Sequence, residues 1–346
     1  MKRIVLAPSG VSVECHEGDT VLAALERAGF ALPNNCRAGA CGECKTRVSA
    51  GSFDQGFVLD MALSQEERRA GFGLMCMAKP ISEELVIEWG SAQAKPRLFP
   101  PQQDMPYVLI ERIVRTASIV EFRLRPLGAA MRYWPGQYVL VRRPGAARQR
   151  AYSMAGAPRQ DGEIAIQVTR MPGGETSEWL HDSVRIGEVV TVSGPYGTFI
   201  GDPAVETPVL CLAAGSGLAP ILSLTEAALR RGFAAPVTLI FSARHLEDVY
   251  CTGLVEFWKA RYRNFQFVPT LTREVRPGIE HGRICALLKR RYRDLSDSSV
   301  FIAGSPPFVH DCLETVKGLG AAGERIHTEG FNPQLEETFA RHAAAS

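Results

Sequence analysis

Four cysteines set the tightest limit on what this chain can fold into. Cys36, Cys41 and Cys44 crowd into one stretch with the spacing C-x4-C-x2-C, and Cys76 stands alone further on. Three thiolates delivered from one short loop need a backbone that curls around a common centre, and Gly39 and Gly42 permit that curl. The spacing is that of a [2Fe–2S] cluster, in which each of two irons takes two thiolates. Backbone N–H groups of such a loop can also donate to the sulfurs and tune the potential. A structural zinc site is the competing reading, but zinc sites usually pair two C-x2-C knuckles and only one is present.

Nine cysteines in 346 residues point to metal or redox chemistry in a reducing compartment before they point to disulfides. The five outside the loop, Cys15, Cys211, Cys251, Cys285 and Cys312, are mostly flanked by apolar residues and are expected in the core. A formal net charge of +2 with dispersed Lys and Arg argues against nucleic acid as a partner. The short basic runs Arg230-Arg231 and Lys289-Arg290-Arg291 each follow an apolar helical pattern and suit helix C-termini. Met1-Lys2-Arg3 leads into a turn at Pro8-Ser9-Gly10 and not into an apolar signal segment, and no apolar run has the length to span a bilayer. A cytoplasmic protein without a membrane partner is expected.

The length divides naturally into two or three domains. Strands at 4–6 and 11–15, a helix at 21–28 capped by Thr20, and a Ser64/Glu67 capping box describe a small mixed domain, 1–92, with long loops around the cysteines. Pro96, Pro100 and Pro101 interrupt the periodicity and mark a linker, 93–104. Short strands at 107–114, 119–125, 138–141, 164–169 and 189–193 then describe an antiparallel barrel, 105–202. Buried strands at 209–213, 237–241, 265–270 and 300–303 alternate with helical segments, which implies a doubly wound parallel sheet, 203–336, before a C-terminal tail, 337–346.

The run Asn35-Cys36-Arg37-Ala38-Gly39-Ala40-Cys41-Gly42-Glu43-Cys44 resembles the cluster loop of the plant-type ferredoxin domain in bacterial oxygenase reductases, and the resemblance continues across nearly the whole chain. It implies three parts: a β-grasp ferredoxin domain, a six-stranded antiparallel β-barrel flavin domain, and a doubly wound parallel-sheet nucleotide domain. Arg150-Ala151-Tyr152-Ser153, preceded by Pro135-Gly136-Gln137-Tyr138, is similar to the R-x-Y-S flavin motif of the ferredoxin-NADP reductase superfamily. An arginine can neutralise the FAD pyrophosphate, a tyrosine can lie against the isoalloxazine, and a serine hydroxyl can reach N5. Gly173-Gly174-Glu175-Thr176-Ser177 opens an apolar helical pattern, and the resemblance assigns Gly174 and Ser177 to the pyrophosphate.

Ala214-Gly215-Ser216-Gly217-Leu218-Ala219-Pro220 resembles the family's dinucleotide pyrophosphate loop, with Gly215, Ser216, Gly217 and Pro220 carried over. It departs from the Rossmann fingerprint because Pro220 replaces the third glycine and no acid ends the second strand. Arg244 stands there instead, where it could meet a 2′-phosphate. Relatives that prefer NADH also carry arginine at this place, so NADH is the favoured donor and NADPH the alternative. Gly304 lies in a segment similar to the family's C-G-x-P-x-M, with Ala303 in place of the cysteine and Phe308 in place of the methionine. Glu329-Gly330-Phe331 resembles the terminal E-x-F, in which the acid lies near the nicotinamide and the aromatic covers the flavin.

The resemblance therefore implies an NAD(P)H-dependent reductase with Ser153 and Glu329 at the hydride step. It would pass electrons through FAD and the [2Fe–2S] cluster to a Rieske ferredoxin or terminal oxygenase component acting on aromatic or hydrocarbon substrates, and act as a monomer. A reductase serving a sugar-deoxygenating dehydrase shares all these motifs. Ala303 and Phe308 leave open a noncatalytic redox carrier or sensor.

Overall fold

The computed structural model describes residues 2–146, 149–202 and 205–331. The chain separates into two compact units, one formed by the residues up to Pro101 with Pro195–Thr198, the other by Gln102–Gly194 and the residues from Phe199 onward.

In the first unit, β1 (Lys2–Ala7), β2 (Val11–Cys15), α1 (Val21–Arg27), β3 (Lys45–Ala50), β4 (Phe53–Asp54), α2 (Gln65–Arg69), β5 (Phe72–Leu74), β6 (Lys79–Pro80) and β7 (Glu84–Glu88) follow one another. The five-stranded sheet runs β2-β1-β7-β3-β5, with β1 and β7 parallel at its centre. Alternation in β1 and β7 sends Ile4, Leu6, Leu85 and Ile87 into a core shared with Val21, Leu22 and Leu25 of α1. Thr20 caps α1 by accepting from the Ala23 amide, and Ser64 and Glu67 form the reciprocal capping box of α2. This mixed sheet crossed by one helix leaves the residues between α1 and β3 free to form the cysteine loop.

The stretch expected as a linker is ordered at both ends. Arg97 and Leu98 amides donate to the Gly29 carbonyl, and Leu98 is buried. The next strand already begins at Gln102, because Gln102 pairs with Gly194 although its neighbours are polar.

The second unit opens with β8 (Gln102–Val114), β9 (Ile119–Pro126), β10 (Tyr138–Arg142), β11 (Gln149–Ser153), β12 (Ile164–Thr169), α3 (Glu175–Asp182) and β13 (Val189–Tyr196). Their order is β11-β10-β13-β8-β9-β12, with the registered neighbours antiparallel. The edges meet where Met154 bridges Ile166 and the Ala155 amide donates to the Ala165 carbonyl at 2.8 Å, closing the barrel around Phe122, Leu124, Val139 and Ile166.

β14 (Val209–Ala214), α4 (Leu218–Arg230), β15 (Val237–Ala243), α5 (Thr252–Arg261), β16 (Phe265–Leu271), β17 (Glu280–His281), α6 (Ile284–Arg291), β18 (Ser299–Gly304), α7 (Pro306–Gly318) and β19 (Ile326–Gly330) complete the chain. All six strands are parallel in the order β17-β16-β15-β14-β18-β19, with an apolar cluster on each face. Order reverses at β14, which has β15 on one side and β18 on the other, so a crevice opens at their carboxyl ends. No helix among the described residues is long and apolar enough to cross a membrane.

Candidate functional site

The cysteine loop is wound by three departures from ordinary backbone. Arg37, Gly39 and Gly42 all have positive φ, at 53°, 69° and 80°. A side chain at Gly39 would bring its Cβ to 2.9 Å from Val58 Cγ1, so only glycine closes the loop there. The curl aims amides inward: those of Ala38, Ala40 and Cys41 lie 3.4, 3.4 and 3.3 Å from Cys36 Sγ, and that of Cys76 lies 3.5 Å from Cys44 Sγ. Buried Glu26 anchors Arg37 from α1.

The four thiols fall into two pairs. The Cys41 thiol draws Cys36 down to about 5 and the Cys76 thiol lowers Cys44 as well, while Cys41 and Cys76 are raised in turn. Among the described residues no three His, Cys, Asp or Glu gather as a single-ion site requires. Four cysteine thiols with amides turned toward Cys36 and Cys44 are a donor set that would hold a [2Fe–2S] cluster.

In the barrel, β11 lies along β10 so that Tyr138 faces Ser153 and Val141 faces Arg150. Arg150 and Tyr152, two apart, share one face of the strand. Burial raises the Tyr152 hydroxyl well above its ordinary range, so that side chain stays neutral. The Ser153 hydroxyl donates to Glu329 Oε2 at 3.1 Å, both residues being buried. Two motifs 176 positions apart thus meet in one hydrogen bond. Directly after β19, the Phe331 amide donates to the Gly304 carbonyl at 2.9 Å.

Ser177 Oγ accepts from the Met171 amide and donates to the Gly174 carbonyl, which shapes the turn entering α3. A Cβ on Gly174 would stand 2.6 Å from that oxygen. Glu175 pairs with Arg143 at 2.7 Å, which ties the first turn of α3 to the end of β10, where Arg142 pairs with Gln149 beside Arg150. A guanidinium and a helix start are therefore brought to one end of the barrel, a donor set that suits a pyrophosphate. These residues fit FAD.

β14 ends at the turn Gly215–Gly217, and α4 begins directly with Leu218 and carries Pro220 in its first turn. A Cβ on Gly217 would lie 2.2 Å from the Ala303 carbonyl oxygen, so the loop needs glycine to ride against β18. Ala303 is fully buried, and the Phe308 ring lies against Gly304, 2.7 Å from where a Cβ would stand. Arg244, following β15, is exposed and lies 3.8 Å from Asp248. Arg273 is a residue the sequence reading did not single out: its amide donates to the Arg244 carbonyl at 3.0 Å, which sets a second guanidinium-bearing residue beside the first. The signal was its place just past the end of β16, as Arg244 stands just past β15.

Family matches follow the same division. The 2Fe-2S iron-sulfur cluster binding domain matches residues 4–80, the oxidoreductase FAD-binding domain 105–200, and the oxidoreductase NAD-binding domain 211–314. The chain is 31% identical over 328 residues to the reductase subunit of an aromatic O-demethylase from Amycolatopsis sp., covering 94% of this chain and 97% of that one. It is 30% identical over 321 residues to the reductase component of a phenol 2-monooxygenase from Pseudomonas sp., covering 90% and 89%. The crystal structure of the Amycolatopsis cytochrome P450 reductase GcoB superposes with a TM-score of 0.87 at 28% identity, over 96% of this chain and 99% of that one. The cofactors are FAD and a [2Fe–2S] cluster, the donor is a nicotinamide nucleotide, and the chain is an oxidoreductase and not a noncatalytic carrier. It belongs to the family of iron–sulfur flavoprotein reductases that serve as reductase components of oxygenase systems.

Proposed function

We propose that this reductase takes hydride from NADH at the place marked by Ser153 and Glu329 and releases electrons from the Cys36, Cys41, Cys44 and Cys76 loop to an oxygenase component. The 3.1 Å bond between Ser153 and Glu329 carries the reading, since it joins the barrel's flavin motif to the last strand of the nucleotide sheet. When bound, FAD accepts hydride at N5 and passes electrons on singly, and the [2Fe–2S] cluster carries them one at a time.

The residues supply placement. Ser153 has one hydroxyl hydrogen, which it donates to Glu329 and can turn toward a flavin nitrogen. Glu329 holds that hydroxyl and keeps an acceptor beside the nicotinamide. Tyr152 offers a neutral ring that would lie against the flavin, Arg150 and the α3 start would hold the FAD pyrophosphate, and Phe331 would cover the flavin. Gly215, Ser216, Gly217 and Pro220 form the nucleotide's pyrophosphate loop and Gly304 lines the nicotinamide. Asp248, beside Arg244, gives the adenosine ribose an acceptor for its 2′-hydroxyl, which favours NADH over NADPH.

The domains are read as 1–92, 105–202 and 203–336, joined by 93–104, with a tail, 337–346, outside the described residues. Nine cysteines, four of them assigned to the cluster, support a reducing compartment, and we read the protein as a cytoplasmic monomer. The acceptor is read as a terminal oxygenase component or a Rieske ferredoxin, since relatives named for a phenol 2-monooxygenase and for a naphthalene dioxygenase system are alike in identity to this chain. NADH-driven reduction of one and not the other, with the partner candidates encoded nearby, decides between them.

Ser153→Ala and Glu329→Gln test the hydride site. Flavin reduction by NADH in stopped flow should slow by about a hundredfold, the scale of misplaced reacting atoms, with FAD content unchanged. Rates within about twofold of the parent in both variants would overturn the assignment.

A further inference from the structure

A chain of hydrogen-bonded polar groups, buried at Glu121, Gln167 and Tyr250, runs from the barrel to the Gly215–Gly217 turn of the parallel sheet, and up to that turn it lies outside the cofactor motifs. Arg115 forks onto buried Glu121, with Nε 3.1 Å from Oε2 and Nη2 2.9 Å from Oε1. Gln167 on β12 donates from Nε2 to Glu121 Oε2 at 3.0 Å and approaches Cys251 Sγ at 3.6 Å. Its Oε1 accepts from the Tyr250 hydroxyl at 2.9 Å, and the same hydroxyl lies 3.0 Å from the Gly215 carbonyl oxygen. Two residues along β12, Thr169 Oγ1 donates to Ser216 Oγ at 3.0 Å.

Gln167 and Thr169 project from the same face of one strand. Successive side chains of a barrel strand therefore hold successive residues of the Gly215–Gly217 turn, Gly215 through Tyr250 and Ser216 directly. The geometry of Tyr250 is itself fixed. Its ring packs edge-on against Phe241 at 5.6 Å, and Cys251, with φ of 58°, turns the chain sharply into α5. Burial raises the Tyr250 hydroxyl well above its ordinary range, so it remains a donor. One hydrogen shared between two carbonyl acceptors leaves the loop and the barrel competing for the same donor, which couples their positions.

We propose that Tyr250, Gln167 and Thr169 are positioning residues for the nucleotide: rooted in the flavin barrel, they set the Gly215 carbonyl and the Ser216 hydroxyl so that the loop's amides meet the dinucleotide pyrophosphate. The proposal rests on the reading of 215–217 as the pyrophosphate loop. Barrel and loop are then held in one register, and the nicotinamide arrives over the flavin without the loop having to be ordered on each encounter.

The test uses the full holoenzyme with NAD+ and NADH. Tyr250→Phe and Thr169→Val should each raise the calorimetric Kd for NAD+ and the KM for NADH, by about tenfold for Tyr250→Phe, the scale of one lost buried hydrogen bond. FAD and iron content report folding. Ser216→Glu examines the loop reading by setting a carboxylate against the phosphates. An unchanged Kd in Ser216→Glu means the loop does not hold the pyrophosphate, and the loop reading falls together with the proposal. A raised Kd there, with Kd and KM within about twofold of the parent in Tyr250→Phe and Thr169→Val, leaves the loop reading standing and overturns the positioning role. A fall in kcat with Kd and KM unchanged marks a merely structural contact and also overturns it.

Discussion

Past the carboxyl end of β15, in the place proposed for the adenosine ribose, Arg244 and Asp248 would set opposite preferences. The guanidinium would welcome a 2′-phosphate, and the carboxylate 3.8 Å away would accept from a free 2′-hydroxyl and repel a phosphate. Arg244 is more than half exposed, so the pair itself contributes little stability and its weight falls on selection. Removing the cation in Arg244→Ala should lower kcat/KM for NADPH by about tenfold or more, the scale of a lost charge-assisted hydrogen bond, and leave the NADH value within about twofold. Steady-state kinetics with both nucleotides measure this. Equal losses would remove Arg244 from the ribose edge and shift attention to Arg273.

Elements were legible where chemistry is local. The C-x4-C-x2-C loop, the capping box at Ser64 and the glycine turn after β14 each declare themselves because thiolate spacing, cap hydrogen bonds and close backbone approach depend on residues a few positions apart. β3, KTRVSA, was not legible: half its positions are exposed, and it is a strand because β5 and β7 flank it. The Gln167 to Tyr250 contact spans 83 positions and left no pattern in either segment.

The capping box also carries a pH signature. The Lys45 ammonium and the Ser64 cap hold the Glu67 carboxyl below its usual range. A carboxyl whose folded pKa is depressed adds stability that is fully present above its unfolded value, about 4.3, and is lost as pH falls through the folded value. Wild type should therefore melt above Glu67→Gln at about pH 7, with the gap closing as pH falls below about 4. A gap that stays constant across that window would show that the carboxylate charge contributes nothing.

At the scale of the molecule, the two units divide the labour. Arg150, Ser153, Glu329 and the Gly215–Gly217 turn all belong to the second unit, and the four cysteines belong to the first. The hydride step can thus be separated from the one-electron exit by a change in the first unit alone. Cys76→Ala takes one of the four thiolates away and puts no ligating atom in its place, so the cluster loses one of the four protein ligands it needs. Cluster absorbance and electron paramagnetic resonance should vanish, and cytochrome c reduction should fall to near background. Ferricyanide reduction by NADH should persist at roughly the parental rate, because a small soluble oxidant takes electrons at the flavin and every residue that places the nicotinamide is untouched. A parallel loss of both activities with FAD still bound would show that the cysteine loop takes part in the hydride step itself, and the division of the molecule into donor and exit halves would have to be abandoned.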